Sequence, residues 1–267
     1  MARCSMRGTV TTMTLSLLAA AILSGLAGLI GVRAVLTENK KNRLTLVFML
    51  LSFACQLIWL GLRGELRAGC PLLDGGEILV FLAWSVSLFY FIVGSTYRVT
   101  LLGMFSAPVV SLMLFVSLVP GMLDADPQPI KNVDYWAEMH SAVSVLSYGA
   151  LALGMISAVM FLVLDKRLKN QNMDSGLFKK LPPVPTLIGS IIRLTVIGVC
   201  FLTLGLACGF KMEVSEAGKV HLYAGAGVWL VYILTLGVWF IRGMAPRKMS
   251  LTMVVLFLAS LSVFAVL

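Results

Sequence analysis

Two histidines and their neighbours carry the side chains whose types and spacing could do chemistry. His140 opens a hydrophobic segment directly after the polar run KNVDYWAEM, and His221 opens another after KMEVSEAGKV. They are the only 2 histidines in 267 residues. A neutral imidazole at the water-facing lip of a membrane segment is a candidate metal or haem ligand, and two brought together can bind a haem iron from opposite faces as its axial ligands. The plain alternative is that each is an interfacial polar residue without a ligand. Met139 and the Cys70 thiolate are the other donors for such a site and rank below the histidine pair.

The neighbours admit two readings each. Ser144, Ser147 and Tyr148 follow His140 at i+4, i+7 and i+8 and form a polar stripe on its face. That stripe suits a lined cavity or a helix interface, unless the serines bond to their own helix carbonyls. Gly225 lies one turn below His221 and admits a flat macrocycle or another helix. Trp136 and Tyr135 fit the aromatic belt of a membrane surface, or could stack on a porphyrin. Haem propionates want cations, and Arg63, Arg67, Lys211 and Lys219 lie close to membrane ends, where they could equally be solvated loop charges. Trp136, Arg63, Arg67 and Lys219 go forward with His140 and His221 as candidate cofactor contacts.

These residues need elements to hold them, and composition says which. The chain is 59% hydrophobic and 12% charged, about half the charged share of soluble domains. Apolar runs near the length of a bilayer crossing recur throughout. They fall at about Thr11–Leu36, Leu44–Leu62, Glu77–Gly94, Val99–Val119 (with Pro108 inside), His140–Leu164, Leu187–Phe210, His221–Ile241 and Leu251 onward. The expectation is an all-α, polytopic integral membrane protein with about eight transmembrane helices, forming a single transmembrane domain over residues 1–267. A basic start before the first run could mark a signal peptide, but the length of the run suits a retained span better. The cysteines show no metal-ligand spacing.

Charge orients the chain. The loops after the odd-numbered segments hold 13 bases against 3 acids, and the other side holds 7 bases against 9 acids. The positive-inside rule then puts the basic side in the cytoplasm and both termini outside it, in a bacterial inner membrane. His140 and His221 begin the fifth and seventh segments, so both face the extracytoplasmic side. The net charge of +9 reflects these loops, and nucleic acid is not an expected partner. There is no P-loop, GxGxxG, HExxH or GxSxG motif, and no carboxylate in mid-membrane. These absences weigh against an enzyme and against a proton-coupled transporter.

Linked motifs carry a resemblance. GCPLLDGGEILVFLAWSVSLFYFIVG with LLGMFSAPVV, then HSAVSVLSYGALALG running into LDKRLK and KKLPPVPTL, then LTLGLACGF and KVHLYAGAGVWLVY, occur in that order. Over about residues 40–245 the sequence resembles the CcsA/HemX-like cytochrome c assembly membrane proteins. The resemblance implies a haem-handling membrane protein of system II type, which presents haem on the extracytoplasmic side. It implies His140 and His221 as the external ligand positions, haem b as cofactor, and an assembly partner and apocytochrome c as partners besides the bilayer. One departure stands out. The tryptophan-rich WxWD segment that such proteins carry before the second histidine is replaced by KMEVSEAGKV, which favours the HemX-like branch. The alternatives are therefore a HemX-like regulator of haem biosynthesis, acting through the cytoplasmic loop Asp165–Pro185, and, last, a small-molecule transporter using the glycine-rich sixth and seventh segments.

Overall fold

The structure, a computed structural model, describes residues 2–36, 43–94, 99–124, 127–130, 134–169, 184–212 and 216–262. Every regular element among these residues is helical, and the eight α-helices follow the eight apolar segments in order. Six contain stretches long and apolar enough to cross a membrane, where a helix is the form that satisfies its own backbone polar groups. The fourth contributes the shorter apolar stretch Leu102–Ser117, and the eighth is a 15-residue helix. The protein is a multi-pass, all-helical membrane protein.

The helices form two compact units, residues 1–133 and 134–267. In the first, α1 (Ala2–Leu36) packs against α2 (Arg43–Arg67) and α4 (Val99–Ser117), and α4 also packs against α3 (Gly75–Gly94). Small residues allow the α1–α4 approach. A Cβ built on Gly28 would lie 2.9 Å from Cγ of Pro108, and one on Gly31 would lie 3.2 Å from the Met104 Cα. The α1 carbonyls accept from serine hydroxyls of both neighbours: Ser52 of α2 donates to Ala20 at 2.8 Å, and Ser111 of α4 donates to Ala21 at 2.8 Å. Close packing and interhelical hydrogen bonds replace the hydrophobic effect that lipid does not supply.

In the second unit, α5 (Tyr135–Lys169) packs against α6 (Val184–Gly209) and α8 (Pro246–Ser260), while α7 (Glu216–Arg242) leans mainly on α6. The two histidine-bearing helices are unequally embedded. The apolar window of α5 is 78% buried and that of α7 is 17% buried. Both helices start earlier than their apolar runs, because the polar residues before each histidine are also helical. Glu138 lies in the first turn of α5, where a carboxylate favours the positive end of the helix dipole. His140 and His221 therefore sit in the second turn of their helices, with neighbours one turn further out. The docking loop of the regulatory alternative lies mostly outside the described residues, over 170–183, as does residues 213–215 of the segment before His221.

Candidate functional site

The site is built from three helix ends of the second unit: the starts of α5 and α7 and the end of α6. The imidazole rings of His140 and His221 have centroids 6.5 Å apart and planes at 85°. Nδ1 of His140 lies 2.8 Å from the Gly205 carbonyl oxygen of α6. A carbonyl can only accept, so Nδ1 carries the proton and donates it. In the neutral ring the lone pair is then on Nε2. Metal-binding histidines recur in this arrangement, with one N–H held by a carbonyl and the other nitrogen left for the metal.

Two glycines allow the ring to lie against α6. A Cβ built on Gly209 would sit 2.7 Å from His140 Nδ1 and 2.6 Å from Cδ1 of Leu222, and one built on Gly205 would sit 2.6 Å from the Ser144 hydroxyl. Below the histidine the polar stripe works as a helix interface. Ser147 donates to the Gly198 carbonyl at 2.9 Å, and the Tyr148 hydroxyl donates to the Ser260 carbonyl of α8 at 3.2 Å. Ser144 Oγ is buried without a hydrogen-bond partner among the described residues. The room below His221 is ordinary, since a Cβ on Gly225 would meet only Cδ2 of Leu206 at 3.7 Å.

At the rim, Trp136 stands one turn before His140, half exposed, with the Lys211 ammonium 4.5 Å from its ring centroid. Lys219 is exposed near the start of α7. Arg63 and Arg67 belong to the first unit and are each only 4% exposed. Their Nε atoms both donate to Glu77 Oε1, at 2.6 and 3.0 Å, and their terminal nitrogens donate to Asp74 Oδ2 at 3.0 and 2.7 Å. Neither is a solvated loop charge. Glu77 is wholly buried and also accepts from the backbone N–H groups of Leu73 and Asp74. The sequence signal for this cluster was present as Asp74-x-x-Glu77, a capping box at the start of α3. The roles of Gly205 and Gly209 had no comparable signal.

Two imidazoles that ligate one metal from opposite sides each hold a nitrogen about 2 Å from it, so their ring centres stand roughly 6 Å apart. The observed 6.5 Å matches that spacing. Among the described residues no group of three or more His, Cys, Asp or Glu side chains is placed to hold a bare metal ion. Two donors suit a metal whose other positions are filled by a macrocycle.

Fold and site together define a multi-pass helical membrane protein with an imidazole pair at one end of a helix bundle. The chain belongs to the cytochrome c assembly proteins: the family model described as "Cytochrome C assembly protein" matches residues 74–266. It is 28% identical over 192 residues to cytochrome c biogenesis protein CcsA of Chlamydomonas reinhardtii, covering 70% of this chain and 53% of that protein. It is 32% identical over 129 residues to the CcsA protein of Crocosphaera subtropica, covering 46% of this chain and 38% of that protein. It is also 28% identical over 193 residues to Protein HemX of Brevibacillus brevis, covering 67% of each. The matched stretch thus spans about half or less of these two CcsA proteins.

Proposed function

We propose that this chain is a haem-holding component of cytochrome c assembly, of the system II type, with His140 and His221 as axial ligands at the extracytoplasmic end of the second unit. The observation that carries this reading is the imidazole pair with centroids 6.5 Å apart and planes at 85°, one ring fixed in the tautomer that leaves Nε2 available. Family membership supports the setting, and the charge asymmetry of the loops supports the side of the membrane. His140 and His221 would hold the iron of a b-type haem, bound without a covalent bond, and that haem would supply the group to be handed on. The protein's own contribution is to orient the His140 ring: the Gly205 carbonyl accepts the Nδ1–H hydrogen bond, and Gly209 leaves room for the ring. Nothing in this arrangement requires the protein to catalyse a reaction. It would hold the group for a partner in assembly and for apocytochrome c.

The test is the absorbance spectrum of the full chain purified from haem-replete cells. The wild type is expected to show a six-coordinate b-type spectrum, and the double variant His140→Ala/His221→Ala should lose it. A colourless wild type would sink the proposal.

A second reading, a HemX-like membrane regulator of haem biosynthesis, is favoured by the match to Protein HemX across 67% of both chains. The replacement of the tryptophan-rich segment by KMEVSEAGKV points the same way. Deletion of residues 170–183 distinguishes the two. Altered haem-precursor levels with intact c-type cytochromes would favour the regulator, and loss of c-type cytochromes would favour assembly.

A further inference from the structure

We infer that Lys211, poised over Trp136, is the cation that anchors a carboxylate of the group held by His140 and His221. This rests on the haem reading above and goes beyond it by fixing which edge of the ligand faces the rim of α5 and α6. Four bases near membrane ends were candidates for this role, and the structure separates them. Arg63 and Arg67 already face Glu77 and Asp74 at 2.6 to 3.0 Å within the first unit. Lys219 stands two residues before His221, a spacing that puts the two side chains on different faces of α7. Lys211 has neither feature.

Its position follows from the local chain. Trp136 precedes His140 by four residues, so the indole and the imidazole share one face of α5, with the indole one turn nearer the helix start. Lys211 follows Gly209 by two residues, and Gly209 is the point where α6 touches the His140 ring, with its virtual Cβ 2.7 Å from Nδ1 and 3.0 Å from Cε1. The Lys211 backbone N–H donates to the Cys208 carbonyl at 3.0 Å, which turns the chain tightly at the end of α6. The ammonium then lies 4.5 Å from the centroid of the Trp136 ring. A π-face attracts the charge without accepting a particular N–H, so donors remain for an anion. Among the described residues no carboxylate is paired with Lys211. The ligand chemistry that fits is a planar apolar ring bearing a carboxylate on the edge that reaches the rim. The indole would lie along the ring, and the ammonium would meet the acid.

The experiment compares two ligands on the full chain in detergent micelles: haem, and haem dimethyl ester, which keeps iron and macrocycle but carries no carboxylate. Lys211→Gln should weaken haem binding about fivefold, as expected for one partly exposed charge-assisted contact. The same substitution should leave the affinity for the diester unchanged, and Lys211→Arg should restore most of the haem affinity. An unaltered six-coordinate spectrum in Lys211→Gln checks that the histidine pair is intact. Equal weakening for both ligands, or no weakening for haem, overturns the role of Lys211 while leaving the histidine site standing. A wild type that binds neither ligand overturns the haem reading itself, and this inference with it.

Discussion

A carbonyl oxygen decides which nitrogen of His140 is free. Because the Gly205 carbonyl accepts the Nδ1–H hydrogen bond at 2.8 Å, a slight change in how α6 meets the ring changes how the ring is aimed. Gly209→Ala is the sharpest probe, since the new methyl would stand 2.7 Å from Nδ1. It should weaken haem binding by about tenfold, the low end for loss of an orienting contact. It should also shift the spectrum from six-coordinate toward five-coordinate. Gly227→Ala, where nothing lies within 4 Å, is the control and should leave the spectrum unchanged. The histidines themselves were legible, because the chain has two and both follow a polar run into an apolar one. The Gly205 carbonyl and Gly209, which aim His140, were not legible, since they belong to another helix, Gly205 lying 65 residues from His140. Lys211 was visible as a base near a membrane end, but its place above Trp136 depends on how α6 turns after Gly209.

Helix ends carry the next level of specification. Two arginines one turn apart at the end of α2 grip the capping carboxylates of α3, and the same cluster reaches the chain after α4. Arg63 donates to the Asp124 carbonyl at 3.0 Å, and Gly76 N–H donates to the Met122 carbonyl at 2.8 Å. Removing Glu77 strands two buried guanidiniums with their main acceptor gone. Glu77→Ala should therefore cost about 3 kcal/mol or more, read as a large drop in the thermal midpoint in detergent. An exposed acid such as Glu65 replaced by Ala should leave that midpoint nearly unchanged; an equally small effect of Glu77→Ala would mean that the cluster is not a clasp. Just past the end of α2, Ala68 has φ 52°, in the left-handed region, and Gly69 N–H reaches back to the Gly64 carbonyl at 3.3 Å. Glycine is the usual residue there, so Ala68→Gly should raise stability by about 0.5–1 kcal/mol, measured by the same melt. Both halves of the clasp were readable as local patterns, Arg-x3-Arg and Asp-x2-Glu. Their pairing was not, because no helical or capping period links α2 to α3. The sequence therefore offered Arg63 and Arg67 as open cations when their charges are met inside the fold.

Across the whole molecule, the apolar segments were the most legible feature, and each became a helix. Their ends were less so: α1, α5 and α7 run beyond their apolar cores, because polar residues continue a helix once it is started. The orientation assigned by charge gives a direct test. A periplasm-active phosphatase fused after Arg67 should be active, and one fused after Arg242 should be inactive, with the reverse pattern for a fluorescent protein that matures only in the cytoplasm. Exchange of the two patterns would turn the histidine pair toward the cytoplasm and remove the basis for delivery to an external cytochrome.

The unequal embedding of α5 and α7 gives the two imidazoles different clocks. His140 is carried by a helix clamped along its length by α6 and α8, whereas His221 is carried by one whose apolar window is 17% buried. Local opening follows packing, so the first turns of α7 should exchange their amide hydrogens well before the first turns of α5. A ligand held between them, as proposed, would have a longer-lived tether at His140 than at His221, and its departure would begin at His221.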